Sequence, residues 1–302
     1  LKKFDFFRKV ELLTTPSRGR LYMKPSLQLA DRLYAAGQVG RRSTVSSLYS
    51  PGVYAVTALA LLAASTLVLN NLAFLDENGL LVLTRPFFLP VFVCTVLLSL
   101  YLSLHATLHL VREREQGTLK VLFFGPVDGV SYLLGRLGSQ TALFGLGAGL
   151  VLLWAVGLGW LTNLLVQVDL LAVLGLGLLT NGAVVAFGLL VAGWGRTART
   201  ALVLFLLAVL LVLAAQVGGQ AIGQLASQSP TTRQDALGYL RAGLDGLNDL
   251  LLWLSPFAQM GRGMDALLVG DGGRLLLHSG AIVGQALVYF AGAVWALKRG
   301  GP

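Results

Sequence analysis

The chain has 302 residues, 55% of them hydrophobic and only 12% charged, with a mean hydropathy of +0.74 and a formal net charge of +9. These values exclude a soluble globular domain and indicate an all-α, polytopic integral membrane protein. The single cysteine, Cys94, excludes a disulfide within the chain and says nothing of the redox compartment.

Residues 1–50 are polar and basic, and they lack the basic start, short apolar stretch and small-residue cleavage site of a signal peptide. The first span is therefore expected to serve as its own insertion signal. Leu27, Leu29, Leu33 and Tyr34 interleave with Asp31, Arg32, Arg41 and Arg42 ahead of Pro51. Two readings fit this pattern: an amphipathic helix lying on the cytoplasmic headgroups, and a disordered basic tail. The tail suits the stretch before Pro25, where Pro16 and Gly19 stand.

A hydrocarbon core about 30 Å thick needs roughly 20 apolar residues per helix. Six runs meet or approach that length, at residues 51–74, 86–111, 132–160, 164–194, 200–222 and 275–297, which makes 51–298 a six-helix transmembrane domain. On the second run Tyr101, His105 and His109 fall four apart on one helical face, with Ser99, Ser103 and Thr107 on a neighbouring face. Polar groups are costly in hydrocarbon and turn toward the bundle interior, so these residues mark either a substrate route or hydrogen bonds that join helices. The i, i+4 spacing of His105 and His109 also occurs in metal and haem sites, but no carboxylate or cysteine stands nearby to complete a metal sphere. Cys94, in the same run, reads as a packing residue.

Residues 112–131 separate the second and third runs. From Arg112 to Pro126 the sequence is REREQGTLKVLFFGP, the one dense pattern of charge, Gly and Pro in an apolar chain. Gly117 permits close backbone approach and Pro126 ends a helix. On the fifth run Gln216, Gln220, Gln224 and Gln228 again recur every four residues. The following segment, 223–274, carries Leu237, Leu240, Leu244, Leu247, Leu251 and Leu254 at steps of three and four, an amphipathic helix that Pro256 is expected to break. A second short apolar piece, 257–269, ends at Gly270, and both pieces are expected to pack on the bundle without spanning. Gly145 and Gly149, and Gly280 and Gly284, have the spacing of close helix contacts, a weak signal in a chain with 37 glycines.

Charge sets the expected orientation, because Lys and Arg are retained on the cytoplasmic side. With both termini inside, the inner segments hold 18 basic and 6 acidic residues, and the outer ones hold 5 basic residues against 8 acids, Asp76, Glu77, Asp169 and Asp271 among them. The basic excess is that of an inner face and calls for no nucleic acid.

Glu115, Gly117, Thr118 and Leu119, followed by Leu122, Pro126, Val127 and then Leu134, Gly135 and Arg136, resemble the cytoplasmic segment after the second span of ABC-2 type transporter permeases. Leu254 to Phe257, with Gly263 and the apolar run to Gly270, is similar to that family's outer segment before the last helix. The resemblance covers about residues 27–298 and departs at Lys120, where an acid is common, and at Phe123 and Phe124, where small or polar residues often stand. It implies a permease subunit of an ABC exporter in a bacterial cytoplasmic (inner) membrane, paired with a second copy or a related permease. A separate ATP-binding subunit would carry ATP and Mg. It also implies that Arg112, Glu113, Arg114, Glu115, Gly117, Thr118, Leu119, Leu122 and Pro126 dock that subunit. The second and fifth spans would line the dimer interface, with Tyr101, His105, His109, Gln216, Gln220 and Gln224 along a substrate pathway or gate. No cofactor is expected on the chain itself.

The residues support part of this independently, because no Gly-x-x-x-x-Gly-Lys-Ser/Thr phosphate loop occurs in the chain. It is therefore expected to be a transport subunit and not an enzyme. Two other classes stay open. A haem or redox protein using His105 and His109 would show a Soret band, and an assembly or anchoring protein would form a stable complex without any ATPase. The short outer segments and apolar bundle favour a hydrophobic or amphipathic cargo.

Overall fold

The computed structural model describes residues 29–77, 85–124, 127–164, 166–195, 197–212 and 253–300. In chain order its helices are α1 (Leu29–Leu48), α2 (Pro51–Glu77), α3 (Phe88–Glu115), α4 (Thr118–Phe124) and α5 (Gly129–Thr162). They continue with α6 (Asp169–Trp194), α7 (Ala198–Val212), α8 (Pro256–Val269) and α9 (Gly272–Gly300). No strand occurs among the described residues. Five helices, α2, α3, α5, α6 and α9, are long and apolar enough to cross a membrane.

Local chemistry explains where these helices start and stop. Pro51 opens α2 at a position where its missing N–H costs nothing. Asp128 caps α5 by accepting the Ser131 N–H at 2.8 Å. Ser255 does the same for α8, with Pro256 directly inside the helix start. The proline expected to break an amphipathic helix thus begins the next one. Arg112 and Arg114 occupy the last turn of α3, where they complement the negative end of the helix dipole.

α3 and α6 form the centre of the bundle: 50% and 56% of their apolar windows are buried, against 22% for α2 and for α9. α6 packs along both α3 and α9, α2 lies on α3, and α8 lies on α9 and α6. α1 packs lengthwise on α5. A side chain at Gly135 would place its first carbon 2.6 Å from the Ala36 carbonyl oxygen, so the absence of one brings the two backbones together.

Several boundaries differ from those expected. α3 runs four residues beyond the apolar run that ends at Val111, α5 starts at Gly129, and α6 starts at Asp169 after a turn closed by Asn163 in the left-handed conformation. Of the fifth expected span, the described helix is Ala198–Val212, shorter than the five spanning helices. Residues 213–222 lie outside the described residues, as do Gln216, Gln220, Gln224, Gln228 and the leucine stripe from Leu237 to Leu251.

Candidate functional site

At the end of the bundle where α3 finishes, a polar cluster joins three helices. Arg136, on the second turn of α5, is 3% exposed. Its guanidinium donates to Glu113 at 3.2 Å and to Tyr132 Oη at 3.4 Å, and also to Ser43 Oγ on α1 and to Nδ1 of His109. Arg136 has only donors, so wherever it bonds His109 the ring nitrogen accepts. Tyr132 donates its hydroxyl to the second oxygen of Glu113. A buried guanidinium costs several kcal/mol unless paired and fully hydrogen-bonded, and here a carboxylate, a phenol, a hydroxyl and an imidazole all converge on it. Beside this cluster Thr44 donates to Ser139 Oγ at 3.2 Å, a further link between α1 and α5.

The adjoining turn has an inward and an outward side. The Gln116 N–H bonds Arg112 O at 2.9 Å and the Gly117 N–H bonds Arg114 O at 3.1 Å, closing α3. Gly117 then takes φ +72°, a left-handed conformation that favours glycine. Thr118 donates back to Glu113 O at 2.8 Å, fixing the angle at which α4 leaves. Leu119, at 1% exposure, is sunk in the core, and Leu122 and Phe123 pack against it. Val121, on the other side of α4, is 73% exposed.

Two charged residues of the same turn reach neighbouring helices. Glu115 accepts the Ala198 N–H at 2.8 Å and so caps α7, whose start is also closed by reciprocal bonds between Thr197 and Thr200. Arg114 donates to Gly193 O at 3.4 Å, near the end of α6. Asp128 forms an ion pair with Arg32 of α1 at 3.4 Å. Burial opposes ionisation of Asp128, but its hydrogen bonds from Ser131 and the Arg32 charge hold the pKa below the ordinary aspartate value. The turn is thus tied directly or through Arg136 to α1, α5, α6 and α7.

The residues singled out by sequence separate accordingly. Arg112, Glu115 and Thr118 are exposed, Arg114 and Leu122 are partly buried, and Gly117 forms the turn. Glu113 and Leu119 point inward, and Pro126 lies outside the described residues. Tyr101, His105 and His109 do share one face, with ring centroids 6.1 and 5.9 Å apart along the series. That row leads into the Arg136 cluster. Ser103, on the neighbouring face, donates to Val184 O of α6 at 2.7 Å, and Thr107 donates back to Ser103 O at 2.8 Å. Cys94 packs against α2 with its thiol 3.4 Å from Ala60 O. Among the described residues no group of three His, Cys, Asp or Glu side chains is placed to hold a metal.

Sequence reasoning missed Ser43, Tyr132 and Val121, and it read Arg136 only as part of a motif. A charged residue beside an apolar run with a tyrosine four residues earlier was a usable signal for the Tyr132–Arg136 pair. It also missed Asn181 of α6, fully buried with both amide atoms unpartnered.

Compared with models of known protein families and with curated proteins, the chain matches none. On the five long apolar helices and the all-helical architecture of its described residues, the chain is a multi-pass membrane protein.

Proposed function

We propose that the chain is the permease subunit of an ATP-driven ABC exporter of the ABC-2 type. It works in a bacterial cytoplasmic membrane as a homodimer or heterodimer, and a separate subunit binds and hydrolyses ATP. The observation that carries the reading is the two-sided construction of the segment from Arg112 to Leu122. Its outer side offers Arg112, Thr118 and Val121 to a soluble partner. Its inner side holds the starts or ends of α5, α6 and α7 through Glu113, Arg114 and Glu115.

A force applied at α4 is passed on through the side chains that join this segment to its neighbours. Leu119 transmits it to the core, Glu113 to Arg136 and α1, and Glu115 to the first turn of α7. The charge asymmetry supports placing this end in the cytoplasm.

Co-expression with a candidate ATP-binding subunit and co-purification through a tag on the permease tests the docking surface. Val121→Asp places a charge at the centre of the contact and is expected to weaken binding by about 2 kcal/mol, roughly 30-fold. Gly117→Val is expected to do the same by redirecting α4. Full retention of the complex by both variants, with unchanged thermal stability, removes the docking assignment.

A further inference from the structure

A cavity of about 800 Å³ lies between α3, α6, α7, α8 and α9, away from the Arg136 cluster. Phe92 and Leu100 of α3, Phe187 of α6, Phe205 and Leu207 of α7 and Tyr289 of α9 contribute to its largely apolar wall. The volume falls within the range of about 300–1,000 Å³ that encloses ligands of moderate size. Leu207 of α7 lines the cavity and is 59% exposed.

Two charged residues of α8 also line it, Arg262 and Asp265. They stand one helical turn apart, and no ion pair joins either to a partner among the described residues. The guanidinium of Arg262 sits 5.7 Å from the centre of the Trp253 ring, an aromatic and basic pairing typical of the headgroup level. Beside an apolar chamber, adjacent unpaired charges of opposite sign match an amphiphile whose headgroup is itself a zwitterion.

We infer that this cavity binds a phosphatidylethanolamine-type phospholipid, with an acyl chain inside, the phosphate on Arg262 and the primary ammonium on Asp265. Phosphate suits the planar donor fork of arginine. A primary ammonium has three N–H donors for the Asp265 carboxylate, whereas the quaternary head of phosphatidylcholine has none and a glycerol head has no positive charge. The inference stands without the transport reading, since it concerns binding by the chain itself.

The test is lipid retention by the purified full chain after reconstitution with equal amounts of phosphatidylethanolamine, phosphatidylglycerol and phosphatidylcholine, read by native mass spectrometry. The wild type is expected to retain phosphatidylethanolamine at least 10-fold over the other two. Asp265→Asn is expected to abolish that preference while lipid is still retained, and Arg262→Gln to lower retention of all three. Ala208→Trp fills the cavity from α7 and is expected to remove bound lipid with the elution profile and melting temperature unchanged. Should that variant misfold, Leu207→Trp serves in its place. Equal retention of the three lipids by the wild type, or undiminished phosphatidylethanolamine binding in a folded cavity-filled variant, overturns the inference.

Discussion

Deleting the Arg136 side chain leaves the Glu113 carboxylate, itself only 22% exposed, without its guanidinium. Removing one partner of a buried ion pair costs about 3–5 kcal/mol, because the remaining charge is uncompensated. Arg136→Ala is therefore expected to lower denaturant stability in detergent by about that much, and adding Glu113→Gln to restore part of the loss. Asp128 provides a pH test at the same scale. Its folded-state pKa lies below the ordinary value of 3.8, so its carboxylate stabilises the fold fully above that value, and the contribution is lost as pH falls through the folded-state pKa. Asp128→Asn keeps a capping side chain and is expected to reduce the acid sensitivity of unfolding, whereas Asp128→Ala costs about 1 kcal/mol at neutral pH. An unchanged acid transition in the Asn variant contradicts this account. The Tyr101, His105 and His109 face was legible because three positions four apart must share one side of a helix. The inward turn of Glu113 was not, since its partners Tyr132 and Arg136 lie on α5, beyond the intervening turn and α4.

At the scale of elements, hydropathy located the spans but not their ends. A bilayer requires that every backbone group be satisfied within the segment, so a long apolar run has little choice but helix. Nothing requires that helix to stop where the apolar residues stop. α3 accordingly continues through Arg112 to Glu115, closing only where Gly117 takes a left-handed turn. The basic segment ahead of Pro51 was open to two readings, and the seat of α1 was not legible. It packs along α5, where Gly135 and Gly40 bring the two backbones close. Gly135→Val is expected to push α1 away and separate Ser43 from Arg136. A cysteine pair at Thr44 and Ser139, whose hydroxyls stand 3.2 Å apart, reports on this after Cys94 is removed. Disulfide formation is expected to be rapid in the otherwise unaltered chain and at least 10-fold slower with Gly135→Val. Equal rates show that the close approach does not position α1.

At the scale of the whole molecule, the two ends of α3 have different chemistry. Near its start Arg85 pairs with Asp169 at 3.0 Å and donates to Leu267 O of α8 at 2.8 Å, which holds that end together. At the other end the ionic contacts surround a turn that also presents an exposed apolar residue. That asymmetry fits the proposed permease, in which work would enter at α4. Composition and charge made the class of the molecule and its proposed orientation legible. The outward position of Val121 required the phase of a seven-residue helix that sequence periodicity is too short to set. The most direct measurement places a photo-crosslinking amino acid at Val121 and, as a control, at Val269 on the opposite end, in cells that also express the proposed ATP-binding subunit. The account expects capture of that subunit from position 121 and none from position 269. Absence of capture at 121 while the two chains still co-purify contradicts it.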